Sequence, residues 1–184
     1  MKSKPLPKTL LADQYLLRLV SSQDEERVLE IMKDREIARW TTVPYPYTST
    51  NFQQYIEMAT TKWNARTGLH LVVVDTNNLV LGATGADLNW ETATAAIGYW
   101  TAQSERRKGM TTTAASALCD WLTEQGFVRF EAKVLCGNVA SGKVLTRLGL
   151  QLESINRGTN ANGCGLDEHA RVDIEHWSKD LTPS

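Results

Sequence analysis

The sequence predicts a mixed α/β (α+β) domain: a mostly antiparallel central sheet of about seven strands, with helices on both faces. Strand-like and helix-like segments follow one another in the order βααβββαβαββ. Three consecutive strands in the middle of that order exclude a simple doubly wound parallel sheet. The length of 184 residues, 42% hydrophobic and 22% charged, suits one globular domain with a substantial core.

Residues 1–13 are rich in Pro and Lys and read as an N-terminal extension, extended or frayed. The domain is expected over 14–181, beginning with a strand at 15–20. Ser21 or Ser22 offers an N-cap, and Asp24, Glu25 and Glu26 suit the positive end of the following helix. Val28, Leu29, Ile31 and Met32 supply that helix's apolar face, and a second short helical piece ends near Trp40. Pro44 and Pro46 exclude regular helix over 41–48, since each restricts itself and its predecessor. Ser49 or Thr50 caps a helix with Phe52, Tyr55, Ile56 and Ala59 on one side, ending near Gly68.

The β-branched run 69–74 is a strand. Asn77-Asn78 makes a tight turn, because Asn tolerates positive φ, and 79–86 is the return strand. A loop at 89–94 leads to a strand at 95–100. The next helix opens at Gly109 or Met110 and runs to about Glu124, with Gly126 as a C-cap signal. Residues 127–135 alternate as a strand does, Asn138 caps a helix carrying Val144, Leu145 and Leu148, and Gly149 ends it. Strands at 150–157 and 170–177 flank a Gly/Asn-rich loop with an Asn162-Gly163 turn signal.

A net charge of −1 argues against nucleic acid as the main partner, since phosphate-backbone binding needs a basic surface. Cys119, Cys136 and Cys164 are odd in number and lack a CxxC pair, so neither a disulfide framework nor a zinc site is expected. His70, His169 and His176 have no metal-binding spacing, and no metal is expected. No apolar run approaches the roughly 18 residues of a membrane span. The basic N-terminus has too short an apolar region for a signal peptide, so a cytoplasmic protein without a membrane partner is the expectation.

The stretch 95–118 carries the most chemistry. An apolar strand enters a short basic loop, which opens directly into a helix rich in Thr and Ala. A helix N-terminus has about four backbone N–H groups without intrahelical partners and a positive dipole end, so it binds anions. Arg106, Arg107 and Lys108 add charge there, and Gly109 lets the backbone approach closely. The loop is neither a Walker loop, lacking the Gly-Lys-Ser/Thr, nor a GxGxxG dinucleotide motif. It reads as a diphosphate cradle, against the plainer reading of a solvated turn capped by Gly109.

Further motifs follow in order. Arg106-Arg107-Lys108-Gly109-Met110-Thr111 resembles the acetyl-CoA loop pattern Gln/Arg-x-x-Gly-x-Gly/Ala, with Thr111 in place of the small residue. Ile97-Gly98-Tyr99-Trp100 precedes it at the right distance. Asn138-Val139-Ala140-Ser141, followed by Leu148-Gly149-Leu150, resembles an Asn-x-x-Ser helix with its Leu-Gly-Phe ending. On these residues, and over about 14–181, the chain resembles the GNAT-superfamily acetyltransferases, specifically the RimJ/RimL-like branch, which acetylates ribosomal-protein N-termini and small amines.

The resemblance implies a GNAT fold and acetyl-CoA as co-substrate. Backbone N–H groups from Arg107 to Thr111, with Arg106, Lys108, Gly109 and Met110 in the same loop, would hold the pyrophosphate, and the Thr111 hydroxyl would add a donor. The backbone around Trp100 and Thr101 would pair with the pantetheine amides as an added strand does. Residues 134–137 would face that arm across a gap between splayed strands. Asn138 would hydrogen-bond pantetheine. Ser141, one turn further along the same helical face, would return a proton to the CoA thiolate. The amine would attack the thioester directly, without an acyl-enzyme. Asn138 as a plain N-cap and Ser141 as a small packing residue are the structural readings of the same pair.

Where many relatives carry a Glu before the Ile-Gly-Tyr-Trp strand, this chain has Ala96. Asp87, Glu91 or a held water would then take the amine proton. Cys136 is a rival nucleophile with no His neighbour in sequence, and a small buried hydrophobe is its other reading. The acceptor pocket is expected from the 40–47 segment, residues near 87–90 and the 159–168 loop. Trp40, Tyr45, Tyr47 and Trp90 would stack on a planar or cationic acceptor, or else shield the core edge. The activity implied is N-acetylation of a small-molecule or peptide amine, and the last strands suggest a homodimer. The alternatives are a non-catalytic acyl-CoA-binding sensor, or a same-fold transferase using a longer acyl group or a hydroxyl acceptor.

Overall fold

The computed structural model describes residues 6–159, 166, 167 and 171–181. The Asn162-Gly163 turn, Cys164, His169 and most of the 159–168 loop lie outside the described residues. The chain runs β1 (Thr9–Ala12), β2 (Tyr15–Leu19), α1 (Glu25–Ile31), α2 (Arg35–Trp40), α3 (Ser49–Ala65), β3 (Gly68–Val74), β4 (Val80–Asn89) and β5 (Thr94–Thr101). It continues through α4 (Met110–Glu124), β6 (Arg129–Leu135), α5 (Val139–Arg147), β7 (Gln151–Thr159) and β8 (Val172–Asp180).

The strands form one eight-stranded sheet in the order β1-β2-β3-β4-β5-β6-β8-β7. Neighbours are antiparallel except β5 and β6, which are parallel and need the α4 crossover between them. The strand beyond the expected seven is β1. Part of the Pro/Lys-rich leader folds back through Asp13 (φ 55) and pairs Leu10 with Leu17, while Leu6 and Ala12 are buried. Four residues among prolines and lysines are too few to show strand periodicity.

The sheet is covered on both faces. Ala114, Ala115, Leu118 and Leu122 of α4 and Leu145 of α5 pack with Leu17, Leu71, Ile97 and Phe130 on one face. Val28, Ile37, Phe52 and Ala59 from α1–α3 pack with Val72, Val74 and Val80 on the other. The caps act as their residue types dictate. Thr48 and Asn51 form a capping box at the start of α3. Asn78 turns the β3–β4 hairpin with φ 62. Segment 41–48 is irregular, and its Tyr45-Pro46 peptide is cis.

Two features of this frame shape the site. Gly82 on β4 sits so close to its neighbours that a Cβ would meet the Trp100 carbonyl oxygen at 2.6 Å and Met110 Cε at 2.9 Å. The parallel pair β5–β6 is joined only through Thr94↔Arg129, Ala95↔Phe130 and Ala96↔Glu131. Beyond those pairs no ladder links 97–101 to 132–135, so the sheet opens there.

Among the described residues no helix is long and apolar enough to cross a membrane.

Candidate active site

The cradle is built by the backbone. After β5 a short 3₁₀ turn, Gln103–Glu105, leads into 106–109, where Arg107 (φ 63) and Gly109 (φ 87) are left-handed. That double reversal delivers the chain into the 15-residue helix α4, with Gly109 as N-cap. The Thr113 amide bonds the Gly109 carbonyl at 3.0 Å, so the amides of Met110, Thr111 and Thr112 are left without intrahelical acceptors. Three free N–H groups at the positive end of a helix make an anion site. A Cβ at Gly109 would meet nothing within 4 Å, so the space in front of the turn is open.

The basic side chains contribute less than their sequence implies. Arg106 is ion-paired with Asp34, the N-cap of α2, and Lys108 Nζ lies 3.2 Å from Glu105. Arg107 is exposed and has no ion pair among the described residues, whereas Met110 is 1% exposed and belongs to the core. The Thr111 hydroxyl, expected as a phosphate donor, lies 2.6 Å from the Thr101 hydroxyl and ties α4 to the end of β5. The pair holds two hydroxyl hydrogens and uses one between them, so the other remains to donate.

The open part of the β5–β6 seam begins beside that cradle. The Ala102 amide bonds the Leu81 carbonyl, so main-chain groups of even-numbered β5 residues face β4. By alternation, those of Tyr99 and Thr101 face the gap. Thr101, expected as a pantetheine partner, turns its main-chain groups toward the gap, while Trp100 directs its backbone into the sheet. Its side chain packs against the α1–α3 core instead.

Asn138 caps α5 by accepting the Ser141 amide at 3.1 Å. The Ser141 hydroxyl lies 2.8 Å from the Tyr99 hydroxyl, which is also 3.3 Å from the Ser141 carbonyl. The Tyr99–Ser141 contact spans the opened seam. Burial pushes the Tyr99 phenol up to about 12, so it stays protonated at neutral pH. Tyr99, part of the Ile-Gly-Tyr-Trp strand but not among the expected site residues, lines this wall of the seam. Its odd-numbered place in the strand, with Ile97 and Ala95 on the same face, was the available signal.

Asp87 does not have the environment of a general base. Its carboxylate accepts from His70 Nε2 at 2.9 Å and from Lys62 Nζ at 2.6 Å. The His70 hydrogen bond leads the effects that hold its pKa at about 2, burial opposing it and Lys62 reinforcing it. A carboxylate so acidic retains no useful affinity for an amine proton. Asp87, Ala96 and Glu131 line one open depression of about 500 Å³ on the α1–α3 face. Glu131, the direct neighbour of Ala96, is engaged by Arg129 at 2.7 Å. Glu91 sits in the exposed β4–β5 turn, beyond the end of the sheet away from the gap.

The aromatic set is divided. Trp40 bonds Glu36 through Nε1 at 3.0 Å, lies beneath Arg39 and reaches Gly137 at the mouth of the gap. Tyr45 lies beneath Arg35 and is exposed. Tyr47 packs on the α1–α3 core, where burial pushes its phenol up to about 12. Trp90 does not join them. It sits in the turn before β5, edge-on to Phe127 at 4.8 Å, with Nε1 donating to the Arg66 carbonyl at 2.6 Å. The seven residues of β6, about 3.3 Å each, separate Trp90's end of the sheet from Gly137. Burial, then the Glu175 and Asp173 carboxylates, raise the Cys136 thiol pKa and oppose a nucleophilic role. Among the described residues no three His, Cys, Asp or Glu side chains converge on a metal position.

A parted parallel pair with an amide cradle at its open end accommodates a slender ligand carrying a diphosphate, which is the layout of an acyl-CoA-dependent transferase. The acetyltransferase (GNAT) domain profile matches residues 14–151, and the protein belongs to that family, whose co-substrate is acetyl-CoA. Solved structures of the same fold include the RimL ribosomal L7/L12 α-N-protein acetyltransferase in complex with coenzyme A, at 17% identity and TM-score 0.81, covering 94% of this chain and 98% of that one. The ribosomal-protein-S5-alanine acetyltransferase from Vibrio fischeri is 21% identical with TM-score 0.77, over 95% and 99%. The microcin C7 self-immunity acetyltransferase MccE, in complex with acetyl-CoA and AMP, is 19% identical with TM-score 0.78, over 91% and 93%. No curated protein matches the sequence.

Proposed function

We propose that the protein transfers acetyl from acetyl-CoA to a primary amine, on a protein N-terminus or a small molecule, by direct attack on the thioester. The observation that carries this reading is the continuity of the gap. The cradle amides of 110–112 lie at its open end, Thr101 and Tyr99 along one edge, and the Tyr99–Ser141 hydroxyl pair across it. Acetyl-CoA, when bound, supplies an activated acyl group that needs no enzyme nucleophile. The cradle amides would hold its diphosphate and the Thr101 and Tyr99 main chain its amide-bearing arm. Asn138 would support the same arm.

Ser141 is suited to protonate the departing thiolate. With the Tyr99 phenol donating to Ser141 Oγ, the serine hydrogen is free to point into the gap, and Tyr99 steadies the charge left behind. Peptide N-termini and small amines are both candidate acceptors, and Trp40 at the mouth and the exposed Tyr45 of the same segment offer faces on which either can stack.

Thiol release from acetyl-CoA across a panel of peptides and small amines tests the reading, alongside calorimetric binding of acetyl-CoA. Turnover on an amine supports it. Binding without turnover on any acceptor favours a sensor, a reading that Ala96 and the fully engaged Asp87 keep in view. Turnover only on hydroxyls, or only with longer acyl-CoAs, points to the corresponding transferase.

A further inference from the structure

We infer that His70 accepts the proton of the attacking amine, and that Asp87 is the positioning residue that keeps the required ring nitrogen free. The inference rests on the transferase reading above.

The ring's tautomer follows from its partner. Asp87 is ionised and can only accept, so the hydrogen between it and His70 sits on Nε2. In the neutral ring the lone pair is then on Nδ1, which has no hydrogen-bond partner among the described residues. Lys62 Nζ, donating to the same Oδ1, fixes the carboxylate from the α3 side. The charged groups at the ring are Asp87 from β4 and Lys62 from α3. On that face β5 presents the uncharged Thr94, Ala96, Gly98 and Trp100, with Glu131 of β6 beyond Ala96.

The position of Nδ1 is equally defined. A Cβ on Gly85 would lie 2.8 Å from it, so the imidazole leans over Gly85. Gly85 pairs with His70 on one side and Gly98 on the other. A Cβ on Gly98 would meet nothing within 4 Å. Three adjacent strands thus carry a bare strip from the imidazole to β5, beginning two residues past the last β5–β6 pair. Strands lie about 4.8 Å apart. An amine resting over Gly98 is within reach of Nδ1 directly or through one water.

His70 and Ser141 serve opposite sides of the sheet. Even-numbered β5 residues face α1–α3, and odd-numbered ones, including Tyr99, face α4 and α5. Acceptor and donor meet where the sheet is parted. As the C–N bond forms and the C–S bond breaks, nitrogen loses a proton to His70 Nδ1 and sulfur gains one from Ser141. Solvent then takes the proton from His70 and returns one to Ser141, so the net transfer is from nitrogen to sulfur.

The test pairs kinetics with a spectrum of the unloaded protein. In the unaltered chain, long-range ¹H–¹⁵N correlations of His70 should show hydrogen on Nε2 at neutral pH. His70→Gln should lower kcat/KM by on the order of 10²–10⁴ and remove the acid limb of the pH–rate profile, with acetyl-CoA affinity unchanged. Asp87→Asn should move that limb to lower pH, because the imidazolium loses its carboxylate partner, whereas a purely structural aspartate would lower Tm and leave the limb in place. Wild-type rate and profile in His70→Gln overturn the inference, as does hydrogen on Nδ1 in the unaltered chain. No turnover on any amine by a chain that binds acetyl-CoA overturns the transferase reading, and the role of His70 with it.

Discussion

Ser141 and Tyr99 show how one hydroxyl pair divides its work. The phenol is buried and stays protonated well beyond neutral pH, so it can donate to Ser141 at every working pH. Tyr99→Phe removes that donor without opening a cavity. The variant should lose about 0.5–1.5 kcal/mol of stability and lower kcat while leaving acetyl-CoA affinity intact. Ser141→Ala should lower kcat further, because on the proposed mechanism it removes the proton donor itself. Steady-state kinetics beside calorimetry separate these effects. Asp87 gives a pH signature at the same scale. Its folded value of about 2 lies below its ordinary 3.8, so its stabilisation is complete above about pH 4 and lost as pH falls through 2. The side chain is 54% exposed, which keeps the effect modest. The Tm difference between wild type and Asp87→Asn should be largest just above pH 4, where the carboxylate and the imidazolium are both charged, and narrow towards pH 2. A difference that widens between pH 4 and pH 2 would refute the assignment.

At the scale of elements, local signals were legible and cross-strand relations were not. Gly109 preceding a Thr/Ala helix, Asn138 three residues before Ser141, and Pro44 and Pro46 in the irregular segment all act through their nearest neighbours. Their consequences follow from chemistry at fixed spacing. The His70–Asp87 contact depends instead on which residues of β3 and β4 stand opposite, and a shift of one residue would send His70 to the other face. Arg106 and Lys108 looked free because their partners are set by how α2 and the 3₁₀ turn dock, and for Arg106 that partner lies 72 positions away. Trp40 and Trp90 are alike in sequence, yet the length of β6 holds them at opposite ends. Glycine offers a prediction at this scale. Gly82→Ala would push a methyl against a carbonyl oxygen in the β4–β5 ladder and against Met110, on which the first turn of α4 rests. A cost of about 1–3 kcal/mol is expected, together with weaker acetyl-CoA binding, since the cradle amides ride on that turn. Unchanged affinity would show that the turn is held without the Met110 contact.

Across the whole molecule, the sheet separates what stabilises the fold from what handles the substrates. β1 lies at one edge, four strands away from β5 and the gap. It nevertheless supports the larger core through Leu6 and Ala12, and its approach is pinned where Trp63 Nε1 donates to the Pro7 carbonyl and Leu19 to the Lys8 carbonyl. Removing residues 1–13 would uncover the β2 edge and expose core that Leu6 covers, whose burial alone is worth about 2 kcal/mol. The truncated chain should melt well below the full chain and associate on warming. At low temperature, where it remains folded by circular dichroism, it should bind acetyl-CoA with little loss of affinity, because β1 packs against α4 but the gap and the Tyr99–Ser141 pair lie across the sheet from it. A marked loss of affinity in the folded truncated chain would mean that edge and gap are coupled through the sheet, and that the leader strand has a part in the site as well as in the fold.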